Sequence, residues 1–571
     1  MTVIATAGHV DHGKSTLVRA LTGTDPDRLA EEKARGLTID LGFANLALPS
    51  GGELSFIDVP GHIRFLRNML AGVGAVEGCL FVVAATEGWK PQSEEHLRIL
   101  DLLGIEHGVV ALTKVDQVDD DLLELAQLDV AEHVEGTFLD DAPVIPVAAT
   151  EGIGLDDLAV ALDALVDRMG EPVDHGRPRL WVDRAFAPAG AGTVVTGTLT
   201  GGTIATNDSL AVLPGRDEAR IRGLQSHHRD SNVVPAGNRV AVNLTGVSHH
   251  DVGRGSVLVR AEQWHQTRML DAELRVLDTL DHEVSRRGAY AVYFGSGEFP
   301  AKVRVLGPTT LAPGDVGNVR IYLDRQLPLL PGDRFILRES GRDETIGGGQ
   351  VLDVEPRLPA SRAQPDRSVE RLVAERGWVR AEHLARLVGH EVDATVAGWV
   401  VAPDELVAMH ARLLVRIEEA DALGLDLAAL DEQERAAIDT LEAVEISAGR
   451  ATIGVPEDPL ADHPWLLLLE AEPFSPPPPD GVDKGEVREL VRRGTVVEQD
   501  GVFFAASAVG AAAHLVAEWL TTNDGITVAD ARDLLSTSRK FVLPMLNHFD
   551  RNGITRRRED IRIAGPRMPA L

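Results

Sequence analysis

Gly8-His9-Val10-Asp11-His12-Gly13-Lys14-Ser15-Thr16 fits the phosphate-loop pattern G-x-x-x-x-G-K-[ST]. The apolar run Val3–Ala7 before it reads as a buried strand, and Leu17, Val18 and Leu21 after it as the start of a helix. A strand, a glycine-rich turn and a helix N-terminus gather backbone N–H groups around a phosphate, where the helix dipole also favours negative charge. Gly8, Asp11, His12, Gly13 and Thr16 belong to this loop. Lys14 is placed to span the β and γ phosphates, and the Ser15 hydroxyl to bind Mg²⁺.

Four further segments follow in order, each at a predicted strand end. In Arg35-Gly36-Leu37-Thr38-Ile39-Asp40, Thr38 offers oxygens to Mg²⁺ and the γ-phosphate, so the segment orders only with the triphosphate. In Asp58-Val59-Pro60-Gly61-His62, Asp58 would hold Mg²⁺ through water, the Gly61 N–H would meet the γ-phosphate, and His62 stands where a water-orienting group is needed. In Thr113-Lys114-Val115-Asp116, the Asp116 carboxylate accepts two N–H bonds from guanine that adenine cannot supply. Ala148-Ala149-Thr150-Glu151-Gly152 presents the Ala149 N–H to the guanine carbonyl. Taken singly, His62 reads equally as a surface imidazole, Asp116 as a helix cap and Gly61 as a turn; five elements in order exclude coincidence.

EEKARGLTID and DVPGHIRFLRNMLAGVG resemble elongation factor Tu and its relatives, and TIDLGFA, TKVD and AATEG resemble the bacterial selenocysteine-specific elongation factors. The resemblance implies a GTPase using GTP/GDP and Mg²⁺ that carries selenocysteyl-tRNA to the ribosome and binds a selenocysteine-insertion hairpin in mRNA. It implies that His62 swings toward the attacking water past gate residues matching Val10 and Leu37, with Asp11 in a supporting role. Asp183, Arg184 and Arg239 match positions lining the aminoacyl pocket, which Phe43 closes when the Thr38 segment orders. Many relatives carry Asn where Thr113 stands, so a base-side amide is replaced by a hydroxyl. A general aminoacyl-tRNA carrier and an RNA-binding regulatory GTPase remain as alternatives, and Arg184 and Arg239 read without the resemblance are ion-pair partners.

A chain of 571 residues implies several domains. Residues 1–170 alternate strands and helical patterns, as in a doubly wound α/β GTPase domain. Short β runs with glycine turns over 176–262 and 263–355 read as two antiparallel β-barrels. Residues 366–571 read as tandem winged helices, four in number, the last from about 510. In that unit Ser538, Arg539 and Lys540 open a helix, and Arg556, Arg557, Arg558 and Arg562 crowd the wing, reversing locally a net charge of −32. That overall charge excludes unselective adhesion to nucleic acid. One cysteine, Cys79 in an apolar run, excludes an intramolecular disulfide and reads as a small core residue. No apolar run is long enough to cross a bilayer, and the N-terminus enters a strand at once, so a cytoplasmic monomer is expected.

Overall fold

A computed structural model of the chain describes residues 2–27, 31–32, 37–62, 65–74, 76–190, 192–215, 217–227, 229–420, 423–453 and 460–570. Arg35 and Gly36, with Lys33, Ala34, Ile63 and Arg64 of the segments quoted above, lie outside these residues. Two compact units divide the chain, residues 1–406 and 407–571.

The first unit begins with a six-stranded sheet. Its strands are β1 (Thr2–Ala7), β2 (Gly42–Ala47), β3 (Glu53–Asp58), β4 (Gly78–Ala84), β5 (His107–Thr113) and β6 (Val144–Pro146), in the order β2-β3-β1-β4-β5-β6. β1, β3, β4, β5 and β6 are parallel, while β2 pairs antiparallel with β3. Parallel strands need covering on both faces, and β1 and β4 are buried along their whole length. Helices Leu66–Val73, Pro91–Leu102 and Asp120–Val134 pack on one face, and Lys14–Thr22 and Leu155–Met169 on the other. Cys79 lies in the first of these layers, fully buried, and burial pushes its thiol far up. The C-terminal ends of β1, β3 and β5 carry the Gly8, Asp58 and Thr113 segments to one edge of the sheet, where open α/β folds bind ligands.

Two antiparallel barrels follow. In the first, Arg179–Phe186 lies between Val257–Val259 and Thr193–Thr200, and pairing of Ser209–Leu213 with Asp217–Ser226 closes the sheet on itself. The second is a closed barrel of six strands running from Gln266–Val276 to Glu344–Asp353. Helices Val369–Arg376 and Ala381–Val388 with the strand pair Trp378–Arg380 and Trp399–Val401 then share a small core around Leu372, Leu384 and Val400.

The second unit holds three more small sheets among the described residues: Leu425–Asp426 with Arg450–Ile453 and Val444–Ser447, then Val496–Gln499 with Val502–Ala505, and Thr555–Arg558 with Ile561–Ala564. Each follows helices, the last pair following Val528–Leu534 and Arg539–Asn552, as in a winged helix. No described helix is long and apolar enough to cross a membrane.

Candidate functional site

After β1 the backbone passes through positive φ at Gly8 (123°), Asp11 (64°) and Gly13 (85°) before the helix Lys14–Thr22 begins. Only glycine fits at position 8, because a Cβ there would lie 2.1 Å from the Val82 carbonyl oxygen. Two residues of the helix Pro91–Leu102 pin the loop: the Gly8 N–H donates to His96 Nδ1 (3.1 Å) and the Val10 N–H to Gln92 Oε1 (3.1 Å). Burial drives the His96 imidazole down to about 3, so it stays neutral and keeps Nδ1 as an acceptor. Lys14 is buried, its Nζ donates to the Gly8 and His9 carbonyls (3.0 and 2.8 Å), and burial lowers its ammonium to about 8. The His12 ring turns inward, Nδ1 lying 3.3 Å from the Val82 carbonyl, so His12 enters the loop through its backbone. Asp11 and Thr16 are exposed.

The three residues expected at the metal come together. Ser15 Oγ donates to Asp58 Oδ2 (2.7 Å) and lies 2.7 Å from Thr38 Oγ1, which donates to Asp27 Oδ1 (2.9 Å). These three contacts share only two hydroxyl protons, so one oxygen pair is in contact with no hydrogen between. Asp58 is fully buried and its carboxyl is raised by burial, against hydrogen bonds from Ser15 and Thr6. A compact, proton-poor group of hard oxygens suits Mg²⁺, which takes one or two carboxylates and completes its shell with water and phosphate.

Glu32, buried, accepts from the Ile39 and Asp40 N–H groups (3.1 and 3.0 Å), and Asn68 Nδ2 donates to the Ile39 carbonyl (2.6 Å). The Thr38 segment is thereby tied to the helix Leu66–Val73 that follows Gly61. Gly61 itself lies hard against the loop, since a Cβ there would be 2.4 Å from Lys14 Nζ. His62, half-buried like Val10 and Leu37, has its ring 5.9 Å from that of Phe65.

At the Thr113 segment the hydroxyl that stands in place of the amide donates to the His12 carbonyl (2.7 Å), with the Val83 carbonyl at 3.3 Å. Thr113 therefore holds the phosphate loop to β5. Lys114, in the left-handed conformation, donates to Glu87 (3.2 Å), and Asp116 is exposed in the turn beside it. The Ala148 N–H is taken by the Ile153 carbonyl (3.0 Å), which leaves Ala149 at the head of that turn.

A cavity of about 960 Å³ opens between the Asp40–Ser55 stretch and the first barrel. Asp183 and Arg184 both line it although adjacent strand residues normally face opposite ways. A β-bulge between Val182 and Arg184 makes this possible, re-aiming one side chain as bulges near sites do. Arg239 is held by both oxygens of Asp183 and by Thr196 Oγ1 (3.1 Å), and its guanidinium sits 3.4 Å above the Phe43 ring. Arg184 lies 4.6 Å from the same ring and donates to Asp40 (3.2 Å) and the Leu41 carbonyl. Both arginines are thus the ion-pair partners of the plainer reading and also walls of a cavity. Arg254, not singled out in the sequence, donates to Asp40 (2.6 Å), to Asn68 (2.5 Å) and to the Asp183 carbonyl (3.3 Å). Asp25 also lines the cavity, so the three guanidinium groups face three carboxylates, those of Asp25, Asp40 and Asp183, and the lining is balanced in formal charge.

In the second unit, Ser538, Arg539, Lys540, Arg556, Arg557 and Arg558 are all exposed. Arg562 is not part of that basic surface. It is buried and paired with Asp550 (2.7 Å), so its charge is spent inside the fold. Its cross-strand partner is Arg557, which places Arg556 and Arg558 on the opposite face of the hairpin.

The phosphate loop, the Thr38 and Gly61 segments packed on it, and the two barrels behind them define a translational GTPase. Residues 1–168 match the family model of the elongation factor Tu GTP binding domain, 271–358 that of the selenocysteine-specific elongation factor beta-barrel domain, and 518–564 that of the elongation factor SelB winged helix. The chain belongs to the family of selenocysteine-specific elongation factors, for it is 30% identical over 97% of its length to the one from Escherichia coli K12, and covers 97% of that protein. It is also 40% identical to that of Desulfomicrobium baculatum over 62% of this chain, a match spanning only 55% of that relative. Among solved structures, a bacterial selenocysteine-specific elongation factor superposes with a TM-score of 0.75 at 26% identity, over 99% of this chain and 100% of the other.

Proposed function

We propose that this GTPase carries selenocysteyl-tRNA to the ribosome at recoded UGA codons, selected by a selenocysteine-insertion hairpin in mRNA. The observation that carries this reading is the cavity walled by Arg184, Arg239 and Phe43, because it joins two guanidinium groups stacked on one aromatic ring to the segment proposed to sense the γ-phosphate. A selenol is largely ionised near neutral pH and the serine hydroxyl is neutral. A guanidinium about 4 Å from a selenolate is worth roughly 4 kcal/mol before desolvation. The bonds Arg184 and Arg239 already make to Asp40 and Asp183 reduce that figure, so the pocket discriminates by guanidinium donors placed at the cargo rather than by a net charge.

Ser15, Thr38 and Asp58 would hold Mg²⁺, which when bound neutralises charge on the transferring phosphoryl group. The loop N–H groups and Lys14 position the phosphates, Asp116 and the Ala149 N–H read guanine, and His62 orients the attacking water past Val10 and Leu37. Arg539, Lys540 and the wing arginines take the hairpin's phosphates, while a splayed base supplies specificity. The test is a comparison of affinities for selenocysteyl- and seryl-forms of one tRNA with GTP bound. A preference of tenfold or more for the selenocysteyl form is expected; equal affinities would establish a general aminoacyl-tRNA carrier instead, and no tRNA binding a regulatory GTPase.

A further inference from the structure

A cavity of about 450 Å³ lies where the chain passes from the second barrel into the helix–strand unit after it, lined by Arg357, Arg376, Trp378, Arg380, His383 and Trp399 among others. Its chemistry is an excess of donors. The Arg376 side chain is only 5% exposed, yet its Nε–H has no acceptor, and neither have the buried indole N–H groups of Trp378 and Trp399. A buried donor left without an acceptor is destabilising, and three of them line this one cavity.

The nearby carboxylates are turned to other donors and do not reach these three. Glu375 accepts from Arg371 (2.7 Å), and Glu355 already faces Arg357 (3.0 Å), Arg376 (3.3 Å) and His383 (3.1 Å). Although burial works to raise it, the Glu355 carboxyl is held at about 2 by His383 and Arg357, a sign of how cationic the surroundings are. The walls also carry π surface. Trp378 and Trp399 pack edge to face with centroids 5.9 Å apart, and Arg380 lies 4.0 Å from the Trp399 ring. Guanidinium groups beside aromatic rings take up the phosphate and the base of an unstacked nucleotide together. The volume falls within the roughly 300–1,000 Å³ of small-ligand sites, more than a lone carboxylate side chain would fill.

We propose that this cavity receives one unstacked nucleotide of a single-stranded RNA segment, its oxygens accepting from Arg376 Nε and the two indole N–H groups and its base lying among the tryptophans. The choice of RNA over another phosphate-bearing ligand rests on the carrier reading above; the donor excess does not. The chain has seven tryptophans, whose indole N–H signals in the ¹⁵N-labelled full-length protein are assigned by single Trp→Phe changes. Titration with tetrauridylate should shift the Trp378 and Trp399 signals at a concentration at least tenfold below that needed with uridine 5′-monophosphate, and inorganic phosphate should act more weakly still. Arg376→Gln should weaken the tetrauridylate response at least tenfold while the Trp89 and Trp181 signals stay in place; Trp399→Phe, which keeps a ring but loses the donor, should weaken it less. The proposal is overturned if neither signal moves, if phosphate alone acts as strongly as tetrauridylate, or if the mononucleotide binds as tightly, which would mark a free nucleotide as the ligand. Failure of the carrier reading would show separately, as a protein that binds no tRNA while these signals still respond.

Discussion

Arg254 donates to Asp40 across 2.6 Å, joining a residue two places beyond Thr38 to the barrel strand that carries Asp183. The same guanidinium reaches Asn68 on the helix behind Gly61, so one side chain touches the Thr38 segment, the helix after Gly61 and the cavity lined by Arg184 and Arg239. Arg254→Ala should leave GTP affinity within about twofold and weaken aminoacyl-tRNA binding in the GTP form by about tenfold, since a charged hydrogen bond is worth about 1.5–3 kcal/mol and this one is partly exposed. A double-mutant cycle with Asp40→Asn measures the coupling; additive losses would separate the two residues.

His62→Ala should keep GTP binding and lose ribosome-stimulated hydrolysis by orders of magnitude. Single-turnover rates on programmed ribosomes decide, and a wild-type rate would remove the residue from the reaction.

Thr113→Ala should loosen the phosphate loop, because the His12 carbonyl loses its donor at 2.7 Å. A buried acceptor left unsatisfied costs about 1–3 kcal/mol, so GDP and GTP should both dissociate roughly five- to a hundredfold faster. The GTP-to-ATP preference should not change. Stopped-flow release of a fluorescent guanine nucleotide, with ATP as competitor, separates loss of grip from loss of base discrimination.

Acid should open the nucleotide domain through two imidazoles. His12 and His96 titrate at about 4 and about 3 when folded, below the 6.5 of a free imidazole, because burial penalises their charged forms. The unfolded chain therefore binds protons that the folded loop refuses. The contribution is fully present above pH 6.5 and is lost as pH falls toward 4 and then 3. Denaturation of the full chain should show the transition that GDP shifts moving downward between pH 7 and pH 5, less steeply in His96→Gln.

On the wing, Arg556→Ala with Arg558→Ala should lower hairpin affinity and flatten its salt dependence by roughly 0.7–0.9 log unit for each phosphate the variant no longer grips. Arg557→Ala, on the face shared with Arg562, should do less. Equal slopes for wild type and double variant would move the RNA elsewhere.

The parts of the site visible in the sequence are those whose spacing backbone geometry dictates. Gly8, Gly13, Lys14 and the strand-end Asp58 could be read because a loop that wraps phosphate tolerates few other arrangements. Gln92, His96 and Arg254 could not, since they reach the site from 82 to 214 residues away by side-chain length alone. Asp183 and Arg184 could be named only by resemblance, since strict alternation separates them and the bulge that reunites them leaves no mark in composition. Arg562 misled for the same reason in reverse: four wing arginines look alike until the hairpin register turns one of them inward against Asp550.

The burial of Cys79 bears on chemistry rather than on packing. A selenol meeting an accessible thiol under oxidation is captured as a selenenyl sulfide, and a carrier that offered such a thiol would bind its cargo covalently. The single cysteine of this chain is sealed between the sheet and the helices on one face of it, and is held as the unreactive thiol. For the cargo proposed, the protein is therefore redox-inert toward what it carries, and replacement of Cys79 by alanine should leave that inertness unchanged.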